Sequence, residues 1–156
     1  MKHVLIIADI EGSSGCWRYR GSSFLTDEWA QACLEMTNDV NAVVQALFDA
    51  GVERITVKDF HRTGYNLMAE FIDSRARVIS GYRNGSVPGL GGPVETDAVM
   101  FIGMHAASGT GGFMAPTRTC RIGGLEVNGK PMVEVELFVS ALSSERRRVG
   151  ETGRRG

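Results

Sequence analysis

Residues 3–15 read HVLIIADIEGSSG. Val4 to Ile7 is apolar without a break, the composition of a strand buried on both faces rather than on one. The segment His3–Ala8 therefore reads as a strand. It ends in two carboxylates one residue apart, Asp9 and Glu11, followed by Gly12 and Gly15. What comes next decides the architecture. Thr26 is a suitable N-cap, Asp27 and Glu28 suit a first helical turn, and Gly51 suits the position past a helix end. Between them Ala32, Met36, Val40, Val43, Val44 and Leu47 recur in steps of three and four, so residues 26–50 are expected to form one amphipathic helix.

The alternation continues outward. Val52–Val57 reads as a second strand ending at Lys58-Asp59, Asn66–Phe71 as a short helix, and Arg77–Ile79 as a third strand. Residues 80–96, rich in Gly and Pro, read as a loop. Ala98–Met104 reads as a fourth strand, apolar except for Gly103 and hence expected to be buried on both faces. Arg118–Val127 reads as a ribbon leading into a turn at Asn128-Gly129, after which Pro131 is expected to open a helix to about Leu142. Strands alternating with helices define an α/β fold with a mainly parallel sheet flanked by helices. The expected domain is 1–142. The tail 143–156, SSERRRVGETGRRG, has five Arg against two Glu and is expected to be disordered.

Composition bounds the function. With 156 residues, 43% of them apolar, the chain suits a single domain with a real core. A formal net charge of −1 gives no reason to expect nucleic acid or an anionic membrane as partner. No apolar run approaches the roughly 20 residues that span a bilayer, and the apolar run at the N-terminus is too short for a signal-peptide core. Cys16, Cys33 and Cys120 are odd in number and form no CxxC, so they read as free thiols of a reducing cytoplasm.

In open parallel sheets functional groups gather beyond the carboxyl ends of the strands. Asp9 and Glu11 follow the first strand, Asp59 and His61 close the second in VKDFH, and His105 follows the fourth in FIGMHA. His3 begins the first strand, at the opposite edge. If the chain stays extended, Asp9 and Glu11 point the same way. Two such carboxylates repel unless a cation lies between them, and imidazole with carboxylate is an ordinary donor set for zinc and similar ions. Each signal is weak alone. D-x-E is commonly a pair of surface or capping carboxylates, a lone His past a strand is commonly a hydrogen-bonded loop residue, and Asp59 suits a turn cap. Their coincidence at three strand ends is what points to a metal site. The stretches Gly89-Leu90-Gly91-Gly92 and Gly109-Thr110-Gly111-Gly112 match neither the P-loop nor G-x-G-x-x-G, so a nucleotide-binding domain has only weak support.

Four blocks taken in order, ADIEGSSG, KDFHRTGYNL, FIGMHAASGTGGFMA and NGKPMVEVEL, resemble the DppA-like zinc D-aminopeptidases over residues 3–142. The resemblance implies a zinc-dependent aminopeptidase that hydrolyses short peptides bearing an N-terminal D-residue, D-alanyl peptides above all, through a water activated by two metals. It implies two zinc ions per chain, a homo-oligomer and a cytoplasmic location. The metal ligands it implies are Asp9, bridging the two ions, with Glu11 and His61 on one and His105 and Glu134 on the other; Glu136 is the nearby competitor for the last position. Asn66 is implied as a substrate-binding residue.

This chain departs from the pattern in two places. The family's catalytic histidine, in a motif like G-F-M-x-H-T, is replaced: Gly112-Phe113-Met114-Ala115-Pro116-Thr117 has Pro116 there. That leaves no residue to assign as catalytic, and makes a metal-binding but catalytically impaired pseudoenzyme or fragment the alternative. The likeness also stops near Leu142, whereas family members run on. CGN arginine codons read one base later give Asp, Gly, Ala or Val, so the Arg-rich tail reads as out of frame or as the end of a truncated gene.

Overall fold

The computed structural model describes residues 1–84, 91–92, 94–106 and 111–114, together with the strand residues 126–127 and 130–131. Its centre is a four-stranded sheet, all parallel, in the order β3-β2-β1-β4, where β1 is His3–Ala8, β2 Arg54–Asp59, β3 Arg77–Ile79 and β4 Ala98–Ile102. The α/β class expected from the alternation is the fold observed. β1 takes the interior position its unbroken apolar run requires, with Ala8 in register with Asp59 on one side and Ile102 on the other. The helix α1, Asp27–Asp49, covers one face. Val4, Ile6, Ala8 and Ile10 pack there with Ala32, Met36, Val40 and Val44, the helical positions spaced by three and four. On the opposite face Leu5 and Ile7 meet Phe60, Ile79, Val99 and Phe101. No described helix is long and apolar enough to cross a membrane.

Both ends of α1 follow from local chemistry. The Thr26 hydroxyl accepts the Trp29 N–H at 3.1 Å, a true N-cap. Thr26→Ala is expected to cost about 1 kcal/mol in a urea melt. At the other end the Gly51 N–H donates to the Phe48 carbonyl and the Val52 N–H to the Leu47 carbonyl, the Schellman pattern. That pattern shortens β2 at its start: Val52 belongs to the helix terminus, so the strand begins at Arg54 and runs to Asp59.

Three other expectations are corrected. The short helix shrinks to one 3₁₀ turn, Ala69–Phe71, and the Asn66 and Leu67 amides before it are bound to the Asp59 carboxylate. β4 stops at Ile102, where Gly103 turns left-handed at φ 68°. It is not buried on both faces either, since among the described strands it is an edge paired only with β1, and Met100 is 37% exposed. Lastly, Pro131 lies in a strand. β5, Glu126–Val127, pairs antiparallel with β6, Lys130–Pro131, across the two positions read as a turn. Proline suits an extended edge residue that donates no hydrogen bond. The rest of the helix expected at 131–142, Glu134, Pro116, Cys120 and the tail lie outside the described residues.

Candidate metal centre

β1 is the switch point of the sheet: β2 lies on one side, β4 on the other, and all carboxyl ends face the same way, which is where open α/β sheets bind ligands. Backbone pairing extends beyond the strands there. The Phe60 N–H donates to the Ala8 carbonyl at 2.9 Å, the Asp9 N–H to Ile102 at 2.9 Å, and the Gly12 N–H to Gly103 at 2.8 Å. The chain after Asp9 is not extended. It turns at 10–13, where the Ser13 N–H donates to the Ile10 carbonyl, so Ile10 drops into the core while both flanking carboxylates reach the same side. The convergence expected for Asp9 and Glu11 is present, but a turn produces it.

The third member is His61. Asp9, Glu11 and His61 are 4%, 7% and 6% exposed, and a ligand atom from each lies within 4.8 Å of the others. His61 Nδ1 sits 3.1 Å from Asp9 Oδ1 and 3.0 Å from Glu11 Oε2. Its Nε2 lies 3.0 Å from the Ser22 carbonyl. A carbonyl only accepts, so the Nε2 proton is fixed on that side. With His61 neutral, its Nδ1 lone pair would face two carboxylates, three electron-pair donors with no proton between them. A divalent cation satisfies this arrangement, and a histidine ligand whose other N–H is held by a backbone carbonyl is usual in metal sites. The donor set of one imidazole and two carboxylates fits zinc.

Without a cation the same groups must share protons. Burial, assisted by the charge of Glu11 and opposed by the His61 hydrogen bond, raises the Asp9 pKa to about 6. Burial acts upward on Glu11 as well, but hydrogen bonds from His61 and Asp9 pull it down to about 2. Against burial, the two carboxylates raise His61 to about 10. The repulsion expected between neighbouring carboxylates is thus relieved by protons in the metal-free protein. Beneath the site Cys16 and Cys33 are free, buried thiols, pushed up by burial to about 11 and 12, which suits packing rather than reactivity.

The remaining candidates lie elsewhere. Asp59 is fully buried and accepts from the Asn66 N–H, from the Leu67 N–H at 2.7 Å and from the Asn66 side-chain amide at 2.9 Å, so it caps the turn. Asn66 is 2% exposed. Its amide donates to Asp59 and, at 2.8 Å, to the His61 carbonyl, while its oxygen accepts from Trp29 Nε1 at 2.9 Å. Both amide protons are committed to the scaffold, leaving no donor for a substrate. His105 is half-buried, and its Nδ1–H donates to the Ala106 carbonyl at 2.8 Å; it does not join the cluster of three. His3, at the far edge, bridges the Glu95 carbonyl and the Thr56 hydroxyl. The residues that sequence reasoning missed, Ser22 and Trp29, act through a carbonyl and an indole N–H, neither of which leaves a motif.

Fold and donor set together define an α/β protein with a candidate metal centre at the switch point of its sheet. A family model described as D-aminopeptidase matches residues 1–146. The chain belongs to that D-aminopeptidase family. A curated D-aminopeptidase of Bacillus subtilis (strain 168) is 29% identical over 106 residues, covering 67% of this chain and 38% of the relative. The solved structure of the Zn-dependent D-aminopeptidase DppA from Bacillus subtilis, described as a self-compartmentalizing protease, superposes with a TM-score of 0.76 at 25% identity. That match covers 88% of this chain and 50% of the solved one, so the chain spans half or less of the relatives it matches.

Proposed function

We propose that this chain is the metal-binding domain of a zinc-dependent aminopeptidase acting on short peptides with an N-terminal D-residue. The observation that carries the proposal is the convergence of Asp9, Glu11 and His61 Nδ1, with His61 Nε2 turned to the Ser22 carbonyl. Family membership and the Zn-dependence of the matched structure support zinc as the ion. Asp9, Glu11 and His61 would hold one ion. His105 and Glu134 would complete a second that shares Asp9, as the resemblance implies. When bound, the ions supply Lewis acidity toward a peptide carbonyl and activation of water. The chain's own residues orient the donors: Ser22 fixes the His61 tautomer, Asp59 and Asn66 fix its loop, and Gly12 and Gly103 fix the carboxylate turn. Assembly into a homo-oligomer is part of the proposal, supported by the self-compartmentalizing description of the matched structure.

A second reading, zinc binding without efficient hydrolysis, is favoured by Pro116. Proline neither moves a proton nor donates a side-chain hydrogen bond, and loss of an acid–base group typically lowers a rate by about 10²–10⁴-fold. Zinc content of the purified chain and hydrolysis of D-alanyl amides test both. Bound zinc with turnover supports the first reading. Bound zinc with turnover appearing only in Pro116→His supports the second. A chain that takes up no zinc on titration overturns both.

A further inference from the structure

Lys58 is fully buried in the second strand, yet the metal site does not use it. Burying an ammonium is unfavourable unless its protons are matched, and a methionine would fill the same slot without that cost. What lysine adds is direction. Its Nζ donates to the Gly81 carbonyl at 2.7 Å and, more weakly, to Ile79 at 3.4 Å. The Gly81 N–H donates to the Gly64 carbonyl at 2.7 Å, and the Gly64 N–H to the His61 carbonyl at 2.9 Å. An unbroken ladder therefore runs from Lys58 to the backbone of His61. The turn it reaches contains Arg62 at φ 46°, a left-handed conformation unfavourable for a residue with a side chain, so surrounding contacts must hold it.

Sequence order gives the ladder its counterpart. Successive strand residues point to opposite faces. Lys58, in register with Ile7 and Ile79, lies on the face away from α1, while Asp59 takes the Asn66 and Leu67 amides on the other. The dipeptide thus grips the loop 61–67 from both faces of the sheet. We propose that Lys58 is a positioning residue for His61, clasping the 80–81 turn onto the 61–64 turn so that Nδ1 stays aimed at Asp9 and Glu11. Burial, opposed by the charge of Asp59 and assisted by that of Arg83, brings the lysine down to about 8. Both protonation states keep N–H donors for the two carbonyls.

The affinity arm of the test rests on the metal reading above; the exchange arm does not. In Lys58→Met, zinc affinity from chelator competition is expected to fall by roughly 10–100-fold, the usual effect of losing an outer support of a ligand. Amide exchange of Gly64 and Gly81 should accelerate to loop rates while Ile6 and Val40 keep their protection. Unchanged zinc affinity in Lys58→Met overturns the proposal. So does uniform loss of protection across the sheet, which would mark a merely structural lysine. Should Lys58→Met not fold, the wild-type chain still decides: protected Gly64 and Gly81 amides support the clasp, and free-loop exchange there refutes it. If wild-type chain binds no zinc, the functional reading fails, and the exchange arm still judges the clasp.

Discussion

Asp9→Asn is expected to abolish zinc binding and at the same time leave the metal-free protein as stable as the wild type or more so. The two effects share one cause. In the metal-free fold Asp9 titrates near pH 6 because burial penalises its charge. A carboxyl whose pKa is raised on folding binds its proton more tightly in the folded state. Stability from this group therefore falls as pH rises from about 4 to 6, and the whole penalty is present at pH 7. At 1.36 kcal/mol per unit, that penalty is on the order of 1–3 kcal/mol. Asparagine keeps the shape, still accepts from the Ile10 N–H and from His61, and donates to Glu11, but carries no charge to desolvate. With a metal the sign reverses, because the charge that was a burden becomes a ligand. Loss of zinc affinity should exceed the roughly 10–100-fold typical of outer-shell changes. Urea melts in chelator at pH 5 and pH 7, with competition titrations for zinc, check both halves. Wild-type zinc affinity in Asp9→Asn would sink the metal centre. A metal-free variant much less stable than wild type would sink the account of its electrostatics.

That trade is the common signature of a functional site, where local cost is retained because a ligand removes it. It also shows what could be read from the sequence. β1, α1 and β3 have the expected limits, or lie within a residue of them, because buried runs, helical spacing and caps are local. β2 starts later because the Schellman turn claimed Val52, and β4 proved an edge among the described strands because strand order is not written in any one strand's composition. In the site the donor types of Asp9, Glu11 and His61 stood out. Of their supports, Asp59 was readable as a turn cap, whereas the Ser22 carbonyl and the Asn66 and Leu67 amides that Asp59 holds are backbone groups that any residue supplies. Asn66 shows the limit of resemblance: its place in a motif does not distinguish a side chain that meets substrate from one that braces the loop.

Gly103→Ala is expected to be the most damaging single-methyl change in the described fold. Gly103 has φ 68°, and an added Cβ would lie 2.1 Å from the Asp9 carbonyl oxygen. Neither problem can relax through a rotamer, because the obstacle is backbone that is itself paired: the Asp9 N–H bonds Ile102 and the Gly12 N–H bonds Gly103. Gly12 is closed from the other side, where a Cβ would meet the Met104 carbonyl oxygen at 2.3 Å. The left-handed conformation alone costs an alanine about 1–2 kcal/mol, and the clash adds to it. A total near 3 kcal/mol is a large share of the roughly 5–15 kcal/mol that holds a domain together. The strain falls on the turn carrying Asp9 and Glu11, so whatever folded protein remains should also bind zinc more weakly. Gly92→Ala is the control, since among the described residues nothing lies within 4 Å of its added Cβ, and it should shift stability by less than about 0.5 kcal/mol. Equal urea midpoints for the two variants would mean that the β1 and β4 ends are not locked together. The carboxylate pair would then owe its convergence to something other than this backbone contact.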